Sequence, residues 1–157
     1  MHIEQLIHRI SNLSIWKKNG QRAPHKPLLI LYALGQYQNY RQIKLPYEEV
    51  REPLRRLLIE FGPPRKSYHP EEPFARLVSD EIWSLNVTVD LKKNIDRQLL
   101  TSGAVGGFSQ EVIPRICFST GTCVKYLEEE RDICTPSASV RKQSDRLSYK
   151  VFISLKN

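Results

Sequence analysis

A basic stretch bracketed by prolines, directly before an apolar run, constrains the fold more than any other feature. Residues 22–27 read RAPHKP, and the apolar run LLILYAL follows at once. Proline suits the first position of a helix, because the N–H that it lacks would be unpaired there. We therefore expect Pro27 to open a helix. Arg22, His25 and Lys26 would then lie at its positive end, where free backbone N–H groups favour an anion such as a phosphate. The alternative is a stiff loop whose basic residues are only solvated.

The positive charge of the chain is concentrated in its first half. Residues 1–66 contain 12 Lys and Arg against 5 Asp and Glu, whereas residues 67–157 contain 12 of each group. The net charge of the whole chain, +7, therefore comes from the first segment. A concentrated basic region is typical of nucleic-acid-binding proteins. An acidic protein partner is the alternative interpretation of the same charge.

The remaining composition predicts one domain without a membrane span, a disulfide framework or a zinc site. The length of 157 residues is sufficient for a single core. No apolar run approaches the roughly 20 residues that cross a bilayer. The first residues lack the profile of a signal peptide, so we expect a cytoplasmic protein. The three cysteines form no CxxC pair, and we expect neither a metal nor a cofactor.

Hydrophobic periodicity predicts a mainly helical chain with a small β-hairpin, an α+β class that is similar to a winged-helix arrangement. The predicted helices cover about residues 2–13, 27–38, 46–61 (with a kink or split at Pro53), 90–100 and 122–131, and a further helix starts near residue 109. The hairpin strands are 74–78 and 82–87, and residues 42–45 form a short strand. We expect a folded domain over residues 1–132, followed by a polar linker or tail over residues 133–157 with a short closing strand.

Three pieces of the chain, taken in order, resemble a known family. The first, residues 16–29, reads WKKNGQRAPHKPLL. The second, residues 69–77, reads HPEEPFARL and is followed by Asp80 and Trp83. The third, residues 106–108, reads GGF. In this order and spacing they resemble the DNA sulfur-binding domain of phosphorothioate-dependent restriction endonucleases, over roughly residues 10–115.

The resemblance implies a largely helical domain that binds double-stranded DNA in which sulfur replaces a non-bridging phosphate oxygen. In that family the domain usually precedes an HNH nuclease domain. This chain has no room for such a nuclease, and no H-N-H cluster follows residue 110. We therefore expect a recognition module without catalysis, whose partners are phosphorothioated DNA and a nuclease domain or subunit.

The resemblance also implies a sulfur pocket around the second piece. Pro73 would offer its ring with Phe74 behind it, and Arg76 would face the DNA or solvent. The family commonly has an aromatic residue just before this proline, whereas this chain has Glu72. Tyr68 is near enough in sequence to replace that aromatic residue. An apolar pocket rejects oxygen more strongly than sulfur, because oxygen loses more hydration without a replacement partner.

Basic residues are the predicted DNA contacts around this pocket. His25 and Lys26 match the family's basic pair, and Lys26 would place a point charge on a phosphate oxygen. Arg22 is the candidate for a bidentate contact to a phosphate or a guanine edge. The further predicted contacts are Lys17, Lys18, Arg51 and Arg55.

Three alternative functions remain open at this point. A sequence-specific winged-helix regulator would read bases with Arg51 and Arg55 on an exposed recognition helix. A nuclease would need clustered carboxylates, and the consecutive acidic residues 128–130 point in different directions on a helix. A protein-interaction module is the third alternative, and it leaves the basic half without a purpose.

Overall fold

The computed structural model describes residues 3–13, 17–18, 21–112, 123–124 and 133–134. The helices are α1 (Ile3–Ser11), α2 (His25–Tyr40), α3 (Tyr47–Phe61), α4 (Glu71–Arg76), which runs into a 3-10 helix (Leu77–Asp80), and α5 (Ile95–Thr101). The strands are β1 (Lys17–Lys18), β2 (Gln21–Arg22), β3 (Leu45–Pro46), β4 (Trp83–Leu85), β5 (Val105–Phe108), β6 (Cys123–Val124) and β7 (Ile133–Cys134). Within the described ranges no helix is long and apolar enough to cross a membrane.

The central helix α2 starts two residues earlier than predicted. Pro24 occupies the position before the helix, and the N–H of Leu28 donates to the Pro24 carbonyl at 2.9 Å. Pro27 therefore lies within the first turn rather than opening it. The prediction is wrong by half a turn because any of the first N–H groups of a helix is unpaired, so proline fits several positions there. Helix α2 is buried near its start, since Leu29 and Ile30 are fully buried.

A three-stranded antiparallel sheet in the order β3-β5-β4 confirms the α+β class. Leu45 and Leu85 flank Gly106 from the two sides, and Trp83 pairs with Phe108. A side chain at Gly106 would lie 2.7 Å from Trp83 Nε1. The glycine therefore lets the indole lie directly against the middle strand.

The predicted hairpin over residues 74–78 and 82–87 is wrong. Residues 71–80 are helical, and β4 pairs with β5 instead. A short apolar run fits a buried strand or a buried helical turn equally well. Here Pro73 lies in the first turn of α4, where its missing N–H has no consequence, and this favours a helix. A small antiparallel pairing is found elsewhere, between β1 and β2.

Two other predicted helices also differ from the structure. Pro53 lies within the single helix α3, so no split is found. Helix α5 starts later than predicted, because Asn94 rather than Asp90 caps it by accepting from the N–H of Arg97 at 2.9 Å.

The last third of the chain is described only in part. The predicted helix over 122–131 is contradicted at Cys123–Val124, which pairs with Ile133–Cys134 as antiparallel strands. The predicted helix after residue 109, where it extends past residue 112, and the tail beyond residue 134 lie outside the described residues.

Candidate nucleic-acid interface

An open cleft of about 1290 Å³ lies between the start of α2, helix α4 and the loop that follows β4. The polar residues that line it are His25, Lys26, Arg65, His69, Glu72, Arg76, Ser79 and Thr88. The apolar residues that line it are Ala23, Pro73, Ala75, Val78, Leu85, Val87, Val89 and Leu91. The cleft therefore offers both charged and apolar surface to a ligand.

Helix α4 directs neighbouring side chains to opposite sides of the cleft wall. Pro73 and Ala75 belong to the cleft lining. Phe74 points into the core, where it is fully buried and its ring centroid lies 5.0 Å from that of Tyr47 and 5.6 Å from that of Trp83. The structure thus places Pro73 in the wall and Phe74 behind it, in the aromatic core that supports the wall.

Glu72 and Arg76 lie one turn apart on α4, and both line the cleft. The Glu72 carboxylate accepts a hydrogen bond from Arg76 Nε and forms an ion pair with that guanidinium. The side chains are 40% and 46% exposed, respectively. The carboxylate of Glu72 is therefore neutralised within the same helix.

Lys26 lines the cleft, but its charge is already paired. Its Nζ donates to Asp80 Oδ2 at 2.6 Å, and the side chains are 11% and 7% exposed. This buried ion pair joins the start of α2 to the 3-10 helix. A phosphate contact by Lys26 would have to draw the ammonium away from Asp80.

His25 presents a neutral imidazole to the cleft at neutral pH. Burial lowers the pKa of His25, and the positive charge of Arg65 lowers it further, while the Glu72 carboxylate acts in the opposite direction. A neutral ring can donate one hydrogen bond but adds no charge.

Arg65 is a cleft cation that the sequence analysis did not select. It is exposed, lines the cleft and forms no ion pair with another described residue. His69 also lines the cleft, where its ring bonds Ser67 and Glu71 at 2.8 Å each. The available sequence signal for Arg65 was its place in a basic pair, directly after the Gly62-Pro63-Pro64 stretch that follows α3.

The sequence model of the ScoMcrA-like DNA sulfur-binding domain matches residues 3–126 of the chain. The chain belongs to this family. The expected family resemblance is confirmed, and the family is a DNA-binding recognition domain.

Solved structures of this family have the same fold. The sulfur-binding domain of ScoMcrA complexed with phosphorothioated DNA matches with a TM-score of 0.64 at 15% identity, over 94% of this chain and 87% of that chain. The corresponding domain of SprMcrA, also complexed with phosphorothioated DNA, matches with a TM-score of 0.60 at 18% identity, over 74% and 75%. A ScoMcrA structure that also contains an SRA domain matches with a TM-score of 0.58 at 18% identity, over 70% of this chain and 36% of that chain. No curated protein matches the chain.

Tyr68 does not line the cleft of this sulfur-binding domain. Its ring packs partly against the core, and its hydroxyl accepts from the backbone N–H of Arg65 at 3.3 Å. The hydroxyl is thus held by the loop before α4, and the role of Tyr68 in place of the missing aromatic residue remains a prediction.

Two arginines on α3 of this sulfur-binding domain lie outside the cleft and are ion-paired. Arg51 binds both oxygens of Asp96, with Nε–Oδ1 at 2.8 Å and Nη2–Oδ2 at 3.0 Å. The hydrogen bonds from Arg51 lower the pKa of Asp96. Arg55 lies 3.7 Å from Glu52, and Arg56 lies 3.6 Å from the same carboxylate. Both arginines hold carboxylates of the protein outside the cleft, and their predicted contacts with DNA remain predictions.

The predicted contacts of Lys17, Lys18 and Arg22 remain predictions. Their backbone forms the β1–β2 pairing, with Lys17 opposite Arg22. Their side chains lie outside the described part of the structure. The pairing ends directly before Ala23, which lines the cleft.

Proposed function

We propose that the chain binds double-stranded DNA carrying a phosphorothioate linkage and is the recognition module of a modification-dependent restriction system. Family membership is the observation that carries this proposal. The related domains of ScoMcrA and SprMcrA are described in complex with phosphorothioated DNA. The cleft supports it as well, because it combines apolar and cationic surface around one helix.

The sulfur would lie against Pro73 and Ala75 on helix α4. Both residues are buried in the cleft wall and offer no hydrogen-bonding side chain. Oxygen at this place would lose its hydration without a replacement partner, whereas sulfur is less strongly hydrated. Selectivity therefore arises from the penalty on oxygen.

The negative charge of the linkage would be met by cations around Pro73. Arg65 has no ion-pair partner among the described residues and can bind a phosphate oxygen directly. The neutral His25 would donate one hydrogen bond. Lys17, Lys18 and Arg22 would contact the backbone on either side of the linkage.

Recognition in this chain would be coupled to cleavage by another domain or subunit. The ScoMcrA structure that contains an SRA domain is a relative in which the sulfur-binding domain is joined to a further domain. We assign no catalytic residue, and the expected partner remains a nuclease domain or subunit.

The winged-helix regulator has less support as an alternative. It relies on Arg51 and Arg55 as base-reading side chains, and both are paired with carboxylates of the protein. The winged-helix likeness itself remains a prediction. A regulator of this kind would bind modified and unmodified duplexes with equal affinity.

Binding of two duplexes that differ by one atom tests the proposal. Fluorescence anisotropy with a duplex carrying one phosphorothioate, and with the same duplex carrying phosphate, gives the two dissociation constants. We expect at least about tenfold tighter binding of the sulfur duplex, equivalent to roughly 1.4 kcal/mol. Equal affinities would overturn the proposal and favour the regulator.

A further inference from the structure

The ion pair of Glu72 and Arg76 lies beside Pro73 in the cleft wall. Residues four apart on a helix share one face, and residues three apart are also neighbours. Arg76 is therefore adjacent to both Glu72 and Pro73, and all three line the cleft. A backbone anion next to Pro73 would meet a guanidinium and a carboxylate at the same place.

The pair is built so that it can open. Both side chains are nearly half exposed, at 40% and 46%, and exposed ion pairs contribute little to stability because water and salt compete for them. The guanidinium contacts Glu72 through Nε. An arginine carries five N–H donors in a fork that matches two oxygens of a phosphate.

We propose that Arg76 exchanges Glu72 for the DNA backbone during binding, so that Glu72 is a competitor that lowers affinity for every DNA. This inference rests on the proposed function, because it places the modified linkage beside Pro73. The free protein holds Arg76 over the cleft with Glu72. The bound protein uses the same guanidinium on the phosphate or phosphorothioate. Opening the pair has the same free-energy cost for both duplexes, so it lowers both affinities and leaves their ratio unchanged.

The competing arrangement is a pair that stays closed on the DNA. In that arrangement the pair is neutral as a unit, and removing both charges together would change little. In the exchange, removing both charges also removes a phosphate contact. The charge-neutral double variant Glu72→Gln/Arg76→Gln therefore separates the two arrangements.

The experiment measures dissociation constants and their salt dependence for the wild type, both single variants and the double variant, on modified and unmodified duplexes. For Glu72→Gln we expect about three- to tenfold tighter binding of both duplexes, since a like charge is removed and Arg76 is released. For the double variant we expect about fivefold or more weaker binding than wild type. Its plot of log K against log salt should flatten by about one contact.

A second ion pair of the same spacing supplies the control. Glu52 and Arg56 lie 3.6 Å apart on α3, outside the cleft. Glu52 also lies 3.7 Å from Arg55, so the control is the single variant Arg56→Gln, which keeps that second pair and is compared with Arg76→Gln. Arg56→Gln should leave affinity and salt dependence unchanged, and thermal melts should show that all variants fold.

The two proposals fail in distinguishable ways. If the Glu72→Gln/Arg76→Gln variant binds with wild-type affinity and salt dependence, the exchange is wrong even where sulfur selectivity holds. If the wild type binds both duplexes equally, the proposed function is wrong, and the double variant still reports on the exchange through the unmodified backbone. A wild type that binds neither duplex overturns both.

Discussion

The ammonium of Lys26 lies 2.6 Å from the carboxylate of Asp80, and the two side chains are 11% and 7% exposed. The residues are separated by 54 positions in the sequence. The pair holds the start of α2 against the 3-10 helix that follows α4, so it joins two of the elements that line the cleft. Its first role is therefore to maintain the geometry of the site.

Replacing Lys26 with alanine is expected to destabilise the fold. Removal of one partner from a buried ion pair leaves the other charge without compensation, which costs about 3–5 kcal/mol. Urea denaturation of Lys26→Ala measures the loss. Lys93→Ala is the control, because Lys93 lies 3.5 Å from Asp90 in an exposed pair, and such pairs contribute about 0–1 kcal/mol. Equal stability of Lys26→Ala and Lys93→Ala would contradict the structural role.

Arg65 should contribute to affinity without contributing to sulfur selectivity. Arg65→Ala should weaken binding of modified and unmodified duplexes by a similar factor and reduce the salt slope by about one contact. The neighbouring Lys66 is exposed and does not line the cleft, so Lys66→Ala should have a smaller effect. Anisotropy titrations at several salt concentrations compare the two, and a larger loss for Lys66→Ala would place the anion elsewhere.

Pro73 should contribute to selectivity instead. Pro73→Ala removes part of the apolar surface at the proposed sulfur position. We expect the ratio of the two dissociation constants to fall from at least about tenfold towards about two- to threefold, because one apolar contact is worth on the order of 1–3 kcal/mol in discrimination. Pro64→Ala, at an exposed residue outside the cleft, should preserve the ratio. If Pro73→Ala keeps the wild-type ratio of the two dissociation constants, Pro73 does not contact the sulfur.

The stability of the free protein should fall as the pH drops below the ordinary pKa of histidine. Burial and Arg65 lower the pKa of His25 in the folded state below its ordinary value of 6.5. The unfolded chain therefore binds a proton before the folded chain does, and stability decreases from about pH 6.5 downwards. Denaturation midpoints measured across this range should decline less steeply for His25→Gln. If the midpoints of the wild type and His25→Gln decline equally with pH, His25 does not cause the pH dependence of stability.

Gly106 should tolerate no side chain. A Cβ there would lie 2.7 Å from Trp83 Nε1 and 2.8 Å from Phe74 Cζ, so Gly106→Ala should cost about 1–3 kcal/mol through overpacking. Gly35→Ala is the matched control. No atom lies within 4 Å of the added Cβ at Gly35, and alanine inside a helix is favoured by about 0.5–1 kcal/mol over glycine. The melting temperature should therefore fall for Gly106→Ala and rise for Gly35→Ala.

Local sequence patterns were sufficient to predict several helices and the family. The apolar run after Pro27 predicted a helix over about residues 27–38, and hydrophobic periodicity predicted a helix over about residues 46–61. Val50, Leu54 and Leu58 form the buried face of the second of these helices, α3. The three pieces of sequence that resemble the family predicted a binding site at Pro73 with basic residues around it. These features depend on contacts within a few turns of one element, so a short window of sequence determines them.

Tertiary structure alone decided which strands pair and which charges are free. Strand β5 inserts between β3 and β4, which are far from it in sequence, and Arg51 is neutralised by Asp96 from a position 45 residues away. Arg65 emerged as a cleft cation in the same way, because it has no described ion-pair partner. The side chain of each basic residue has the same chemistry wherever it occurs, and its availability to DNA depends on the carboxylates that the fold brings beside it.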